Sequence, residues 1–259
     1  MNAEPLDWQR IAAATGAEVI WHAETGSTND DARAQALLGA AHGSAIIADS
    51  QQAGRGRRGA AWVSHPRRNL LCSVVLRPSL PMEKWPRLTH ACALAVCEAL
   101  EVIPGLPTPQ IKWPNDIYLS GKKVCGILVE SAMDARGGFA IAGVGVNLNL
   151  TGEDFPEDLR DTATSVWLER GGQEVSREDF AIRFLQRLCI QCARSGEAVL
   201  LDDCETRSFL TGKRVCLLSG NQKLEGTAAG LGAEGELRLM HDDGRVQLLS
   251  SADLVRVVN

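Results

Sequence analysis

The chain has 259 residues, 45% of them hydrophobic and 23% charged, which is enough to bury one large core or one large and one small domain. Its formal net charge of −5 argues against a general nucleic-acid-binding surface, and no apolar run approaches the length of a membrane span. Glu4, Pro5 and Asp7 replace the basic-then-apolar signature of a secretory signal, and eight scattered cysteines read as reduced thiols, so a cytoplasmic location is expected.

Residues Met1 to Ala17 hold at most one short amphipathic helix before a strand at Glu18 to His22, too little for a helix-turn-helix. Gly26-Ser27-Thr28-Asn29-Asp30-Asp31 then leads into the alanine-rich Ala32 to Leu38, which Gly39 stops. Ser27 with Asp30, or Thr28 with Asp31, is a helix capping pattern, and taken alone the stretch favours a cap. Such a helix start also offers hydroxyls and free N–H groups to a polar ligand.

Ala45 to Asp49 and Leu70 to Arg77 read as strands flanking Gly54 to Gly59, GRGRRG. From Ser50 to Met82 there are six arginines and no Asp or Glu. Glycines let backbone approach a ligand closely, and guanidinium forks match phosphate and carboxylate oxygens. The letters fit the dinucleotide pattern G-x-G-x-x-G, but the context does not: Ala60 to Asn69 contains Pro66 and no helical stripe, and the next acid is Glu83. A solvated arginine loop or an RNA contact is the competing reading at this point.

Helical spacing predicts a core helix from Lys84 to Leu100, on which His90 reads as structural. Gln110 to Glu130 reads as a strand, a Pro-containing turn and a hairpin through Ser120-Gly121-Lys122. Lys112, Asp116 and Lys123 are charges among apolar strand residues, which must pair or serve chemistry. A Lys112–Asp116 ion pair would account for two of them; Lys123 is harder to explain structurally. Phe139 to Leu150 alternates: Ala140, Ala142, Val144, Val146, Leu148 and Leu150 share one face, while Ile141, Gly143, Gly145, Asn147 and Asn149 share the other. Two glycines weaken a strand unless something approaches closely, either a ligand near Asn147 or a neighbouring helix.

Thr151 to Gln173 reads as a loop with a short helical piece near Thr164 to Arg170. Ser176, with Asp179, caps a long helix to Gly196 whose apolar stripe includes Cys189 and Cys192, so this CxxC is expected in the core rather than on zinc. From Thr211 onward only short strands between Gly, Asn and Asp turns are expected, the pattern of a small β-barrel.

Three separated motifs combine with these elements: Ser27-Thr28-Asn29; Gln51-Gln52-Ala53 with GRGRRG and Trp62; and Lys112-Trp113-Pro114-Asn115-Asp116 followed by Lys122-Lys123 and Gly126. With GVGVN at Gly143 to Asn147 and the terminal barrel, the chain resembles the biotin–protein ligases from about Val19 to Val258. The resemblance implies an α+β fold, a mixed β-sheet with packed helices of the class II synthetase and biotin-ligase kind, plus a small C-terminal Src-homology-3-like β-barrel, divided as residues 1–210 and 211–259. It implies that biotin attacks the α-phosphate of MgATP to give biotinyl-5′-adenylate, and that a lysine of a biotin carboxyl carrier protein, in acetyl-CoA carboxylase or a related carboxylase, displaces AMP. By the same resemblance Ser27, Thr28, Asn29 and Gln51 contact the biotin head and Trp62 walls its pocket. Arg55, Gly56 and Arg57 belong to a loop folding over the adenylate. Lys123 with the adjoining Gly126 serves the carboxylate and phosphate, Asn147 the nucleotide, and Asp116 the attacking lysine; Lys123, Arg57 and Asp116 are the catalytic candidates. No protein ligands for a metal are visible, so Mg²⁺ is expected to be held by ATP phosphates. Many members carry an N-terminal DNA-binding winged helix for which this chain has no room, so ligase activity without operator or membrane binding is expected, from a monomer or weak homodimer. The terminal strand near Arg256 fits the family pattern poorly. A lipoate or octanoate ligase or transferase of the same fold is the nearest alternative, and an arginine-loop RNA-binding protein a more distant one.

Overall fold

A computed structural model of the chain describes residues 4–220 and 222–258. A seven-stranded sheet organises most of it, in the order β1-β2-β3-β7-β6-β5-β4. Its strands are β1 (Val19–His22), β2 (Ala45–Ala48), β3 (Asn69–Leu76), β4 (Gln110–Lys112), β5 (Asp116–Leu119), β6 (Lys122–Asp134) and β7 (Gly137–Asn147). β1 and β2 run parallel, and every other neighbouring pair is antiparallel.

The two faces of this sheet have different fates, and the alternation in β7 decides them. Ala140, Ala142, Val144 and Val146 join the main core with α3 (Arg87–Glu101), α5 (Arg177–Ala193), α1 (Trp8–Thr15) and α6 (Val199–Thr206). On the opposite face Ile141, Phe139, Ile46 and Val75 form a smaller cluster with Ala32 and Ala36 of α2 (Thr28–Leu38), flanked by Ile20, Ala40 and Ala132. Beyond the end of that small cluster the second face carries glycines and polar residues, and there the sheet is open to a ligand.

α3 is buried almost all round, as its wide apolar face predicts. α5 begins where Ser176 Oγ accepts the N–H of Asp179 at 3.0 Å, the expected cap. The CxxC on α5 is only partly in the core: Cys192 is half-buried and packs against it, but Cys189 is exposed. α6 leaves little signal in the sequence, since its LDDCET run lacks a clear apolar stripe.

The second sheet has the order β11-β10-β9-β8-β12, formed by β8 (Arg214–Ser219), β9 (Gln222–Leu231), β10 (Leu237–Met240), β11 (Val246–Leu249) and β12 (Leu254–Val257). Inward residues such as Val215, Leu217, Leu239 and Val255 make its core, and Trp113 from the turn between β4 and β5 is part of it. Gly235 O accepts from Trp113 Nε1 at 3.0 Å and from buried His90 at 3.1 Å, while Arg87 reaches Ala233 O and Glu234. His90 is thus structural, as expected, and it fastens α3 to the second sheet.

Candidate active site

A cavity of about 220 Å³ lies on the open face of the large sheet, between the start of α2, the glycine-arginine loop and the β6–β7 pair. Ser27, Thr28, Asn29, Gln51, Arg55, Gly56, Arg57, Trp62, Asp116, Lys123 and Gly126 all line it, so eleven of the sequence candidates converge; Asn147 does not.

The α2 wall is a fixed hydrogen-bond network. Thr28 donates both its backbone N–H and its hydroxyl to Gln51 Oε1, at 2.8 and 2.9 Å. Buried Ser73 Oγ sits 2.7 Å from Thr28 Oγ1 and 2.6 Å from Asn29 Oδ1, and Asn29 Nδ2 donates to Glu130 Oε2 at 2.7 Å. Both poles of the Asn29 amide are therefore occupied. Ser27 stands in the N-cap position, yet its hydroxyl does not cap the helix. The Ser27 hydroxyl and Gln51 Nε2 make no hydrogen bond among the described residues, which leaves one hydroxyl and one amide donor facing the cavity. The side-chain cap expected of Ser27 is not made.

The floor explains the glycines of β6 and β7. Gly126 and Gly145 lie opposite one another in the ladder. A Cβ on Gly145 would stand 2.5 Å from Trp62 Cε2, and one on Gly126 2.9 Å from Trp62 Cζ3. The indole therefore rests directly on bare backbone, with its Nε1 buried and unpartnered among the described residues. Gly143 makes room in the same way for the Asn29 amide. The close approach inferred from the sequence comes from two side chains of the protein itself.

A register shift in the β5–β6 ladder aims Lys123. Ile117 pairs with Cys125 but Tyr118 with Lys123, so Val124 is the extra residue of a bulge. Val124 and Cys125 both enter the core, and Lys123 is turned to the same face as Asp116 and Gly126. Its backbone is held from the other side, where Lys123 N–H donates to Thr162 O at 2.9 Å and Thr164 N–H to Lys123 O at 2.8 Å. Lys123 Nζ lies 2.6 Å from Asp116 Oδ1, close in distance but not aligned as a hydrogen bond, and 5.6 Å from the centre of the Trp62 ring. Lys112 takes no part in that pair: its Nζ donates to Tyr118 OH at 2.9 Å, so the expected Lys112–Asp116 bridge is replaced by Lys123–Asp116. Burial pushes the Lys112 ammonium below its ordinary value, with Asp116 opposing and Lys123 and Arg256 reinforcing the shift.

The six arginines divide by task. Arg55 forks onto Asp30 at 2.8 and 2.5 Å; that hydrogen bonding lowers the Asp30 carboxyl and raises the Arg55 guanidinium. Arg57 points inward, 3.4 Å from Asn115 Oδ1, and burial followed by the charge of Arg58 lowers it while Asp116 pulls it back up. Arg58 meets Asp253 of the second sheet. Arg68 donates to Asn149 O at 3.0 Å, Arg77 braces Ala36, Ala40 and Asp134, and Arg67 lies 3.8 Å from Asp49. Half of the basic cluster therefore serves the fold.

Asn147 is buried at the end of β7, where Asn69 Nδ2 donates to its Oδ1 at 3.1 Å and its own Nδ2 donates to Thr164 O at 3.0 Å. With both groups occupied it stands behind the cavity wall. Asp253 lines the cavity, and Ser73 and Glu130 brace Thr28 and Asn29 from behind it, without being sequence candidates; Ser73 alone leaves a local trace, as the one hydroxyl within the apolar run of β3. Among the described residues no three His, Cys, Asp or Glu side chains gather as a metal site.

An open mixed sheet whose free face holds a glycine-arginine loop and a lysine–aspartate pair matches the Biotin/lipoate A/B protein ligase family, whose model covers residues 25–147. The bifunctional ligase/repressor BirA of Bacillus subtilis is 34% identical over 245 residues, 92% of this chain and 74% of that protein. The biotin–[acetyl-CoA-carboxylase] ligase of Paracoccus denitrificans is 34% identical over 240 residues, 90% of this chain and 98% of its own length. The biotin protein ligase of Aquifex aeolicus in complex with biotin and ATP superposes with a TM-score of 0.80 at 28% identity, covering 93% of this chain and 99% of that one. The chain belongs to the biotin protein ligase family.

Proposed function

We propose that this chain joins biotin to ATP as biotinyl-5′-adenylate, releasing pyrophosphate, and passes the biotinyl group to a lysine of a biotin carboxyl carrier protein, releasing AMP. The observation that carries the reading is the cavity itself: free donors at Ser27 and Gln51, an indole wall, and Lys123 and Arg57 converging where two anions must meet. A carboxylate approaching an α-phosphate is repelled unless cations offset both charges, and fixed cations in a partly dry site do this without reorganising.

Ser27 and Gln51 Nε2 are suited to the polar ureido head, and the Trp62 face to the apolar ring and chain. Thr28 and Asn29 act by holding that wall in place. Lys123, parked on Asp116 when no substrate is bound, turns its ammonium to the reacting carboxylate and phosphate; Asp116 is then free to accept a proton from, and orient, the incoming lysine. Arg57 covers the adenylate from the loop. Asn147 contributes to the nucleotide side by holding Asn69 and Thr164. Mg²⁺ is taken to arrive coordinated by ATP phosphates, and no step is assigned to it. We place the division between the catalytic and barrel domains near residue 210, and the enzyme in the cytoplasm as a monomer or weak homodimer.

Pyrophosphate–ATP exchange tests the reading. Exchange that requires biotin, followed by labelling of a carrier domain, is expected; exchange supported by lipoate and not by biotin would overturn it.

A further inference from the structure

Three neighbouring strands build a cradle for the side chain of Asn29. Ser73 of β3, Gly143 of β7 and Leu128 of β6 follow one another across the ladder, and Glu130 stands two residues beyond Leu128 on the same face. Ser73 is fully buried, and a buried hydroxyl is costly unless it is hydrogen-bonded. Its Oγ lies 2.6 Å from Asn29 Oδ1, which can only accept, so its one hydrogen goes to the amide. Gly143 keeps the next strand bare: a Cβ there would stand 2.8 Å from Asn29 Cγ. On the third strand Asn29 Nδ2 donates to Glu130 Oε2 at 2.7 Å and reaches Leu128 O at 3.5 Å. A carboxylate and a carbonyl have nothing to donate, so together with the Ser73 hydroxyl they dictate which way round the amide lies.

The cradled residue belongs to one hydrogen-bonded turn. The N–H groups of Asp30 and Asp31 both donate to Ser27 O at 3.1 Å, and the Thr28 N–H and hydroxyl hold Gln51 Oε1. Ser27 and Gln51, the two residues with free donors toward the cavity, are therefore joined to the Asn29 amide through a single turn of backbone.

We propose that Ser73 and Glu130 are positioning residues for the ligand-head wall: they seat the Asn29 amide on the sheet, and through it hold the first turn of α2 where the Ser27 hydroxyl and Gln51 Nε2 face the cavity. The step from this cradle to biotin affinity rests on the ligase reading above; the anchoring of α2 does not.

Reversing the polarity of one hydrogen bond in the full chain tests it. Asn29→Asp keeps the shape and still accepts from Ser73, but its second oxygen faces Glu130, and two carboxylates so close cannot both stay ionised. Adding Glu130→Gln to Asn29→Asp restores a hydrogen bond that runs the other way, from the glutamine amide to the aspartate. The readouts are amide hydrogen exchange at residues 28, 30 and 31 without ligand, and calorimetric titration with biotin. Loss of a hydrogen bond to a charged group should speed exchange and weaken biotin binding by about tenfold or more in Asn29→Asp, and the double variant should recover most of both. Lowering the pH from 8 to 5 should also recover Asn29→Asp, as a shared proton rebuilds the bond, without a matching gain in the double variant. The charges around the pair are Arg55, raised first by its hydrogen bonds to Asp30 and further by the charge of Glu130, Asp30 itself, lowered by Arg55, and Asp31 with His22 at 3.8 Å. All four are common to every variant, so a difference between variants isolates the shared proton. Glu130→Leu, at a half-buried position, removes the acceptor without adding a charge and should show the same loss, with Glu130→Gln between it and the parent.

Parental exchange and affinity in both Asn29→Asp and Glu130→Leu, or a double variant no better than Asn29→Asp at pH 8, would overturn the cradle. Weakened biotin binding with unchanged exchange would overturn it too, since these side chains would then act on the ligand and not on the turn. If exchange follows the expected pattern but the parent binds no biotin, the cradle stands and the ligase reading falls.

Discussion

Replacing Gly145 with alanine asks whether the bare backbone under Trp62 exists to seat the indole. The added Cβ would lie 2.5 Å from Cε2, 2.7 Å from Nε1 and 2.8 Å from Cζ2 of that ring. Carbon atoms in contact rest at about 3.5–4.0 Å, so one partner must withdraw by about 1 Å. β7 lies in mid-sheet, paired on both sides with β3 and β6, whereas Trp62 sits on a loop and is only half-buried. The ring should therefore yield and the strand stay. Overpacking of this kind costs about 1–3 kcal/mol. If the cost falls on the ligand-binding conformation, biotin affinity should drop by about 5- to 150-fold. Calorimetric titration with biotin, beside a thermal melt, separates the two outcomes, and Gly152→Ala, where a Cβ meets nothing within 4 Å, is the control. Unchanged biotin affinity in Gly145→Ala, or a large loss of thermal stability with affinity preserved in the folded fraction, would refute the reasoning.

Lys123→Gln should cut biotin-dependent pyrophosphate exchange by about 10²-fold or more with little change in melting temperature, since Lys123 is partly exposed and its contact with Asp116 is not an aligned hydrogen bond; near-parental exchange would remove Lys123 from the chemistry. Arg57→Gly should leave the fold intact and let adenylate escape, seen as labelling of bystander lysines in a mixed-protein assay; parental selectivity would argue against a covering role. Burial lowers His90 from its ordinary value of 6.5, so the unfolded chain binds a proton near that pH that the folded chain declines. Stability should accordingly fall as pH drops below 6.5, with a slope approaching about 1.4 kcal/mol per pH unit from this group. Urea unfolding at several pH values should show that slope diminished in His90→Gln, and an equal slope in the variant would assign it elsewhere.

The elements with a strong local period were legible: the alternation of β7, the apolar face of α3 and the Ser176 cap each follow from neighbours in sequence. Gly143 and Gly145 signalled a close approach, but the identity of the approaching groups, Asn29 and Trp62, depended on chain more than 80 residues away. The ladder likewise decided Asn147, which looked ligand-facing until β3 placed Asn69 opposite it. Lys123 is the sharper case. Strict alternation along β6 would have sent it to the wrong face, and only the bulge at Val124 returns it to Asp116. The charge of the arginine run was legible, but its division between ligand and scaffold was not, because the partners of Arg68 and Arg77 come from distant loops and strands.

Trp113 has its ring in the core of the second sheet while Asn115 and Asp116, two and three residues on, line the cavity. Modularity in this chain therefore stops short of the chemistry. A recombination event that exchanged the terminal barrel for a foreign one would have to reproduce a socket for that indole and a carbonyl like that of Gly235, or the turn bearing Asp116 would lose its support. Barrel and turn are accordingly expected to vary together among variants that remain active, and grafting experiments should carry Trp113 and its flanking turn along with residues 211–258.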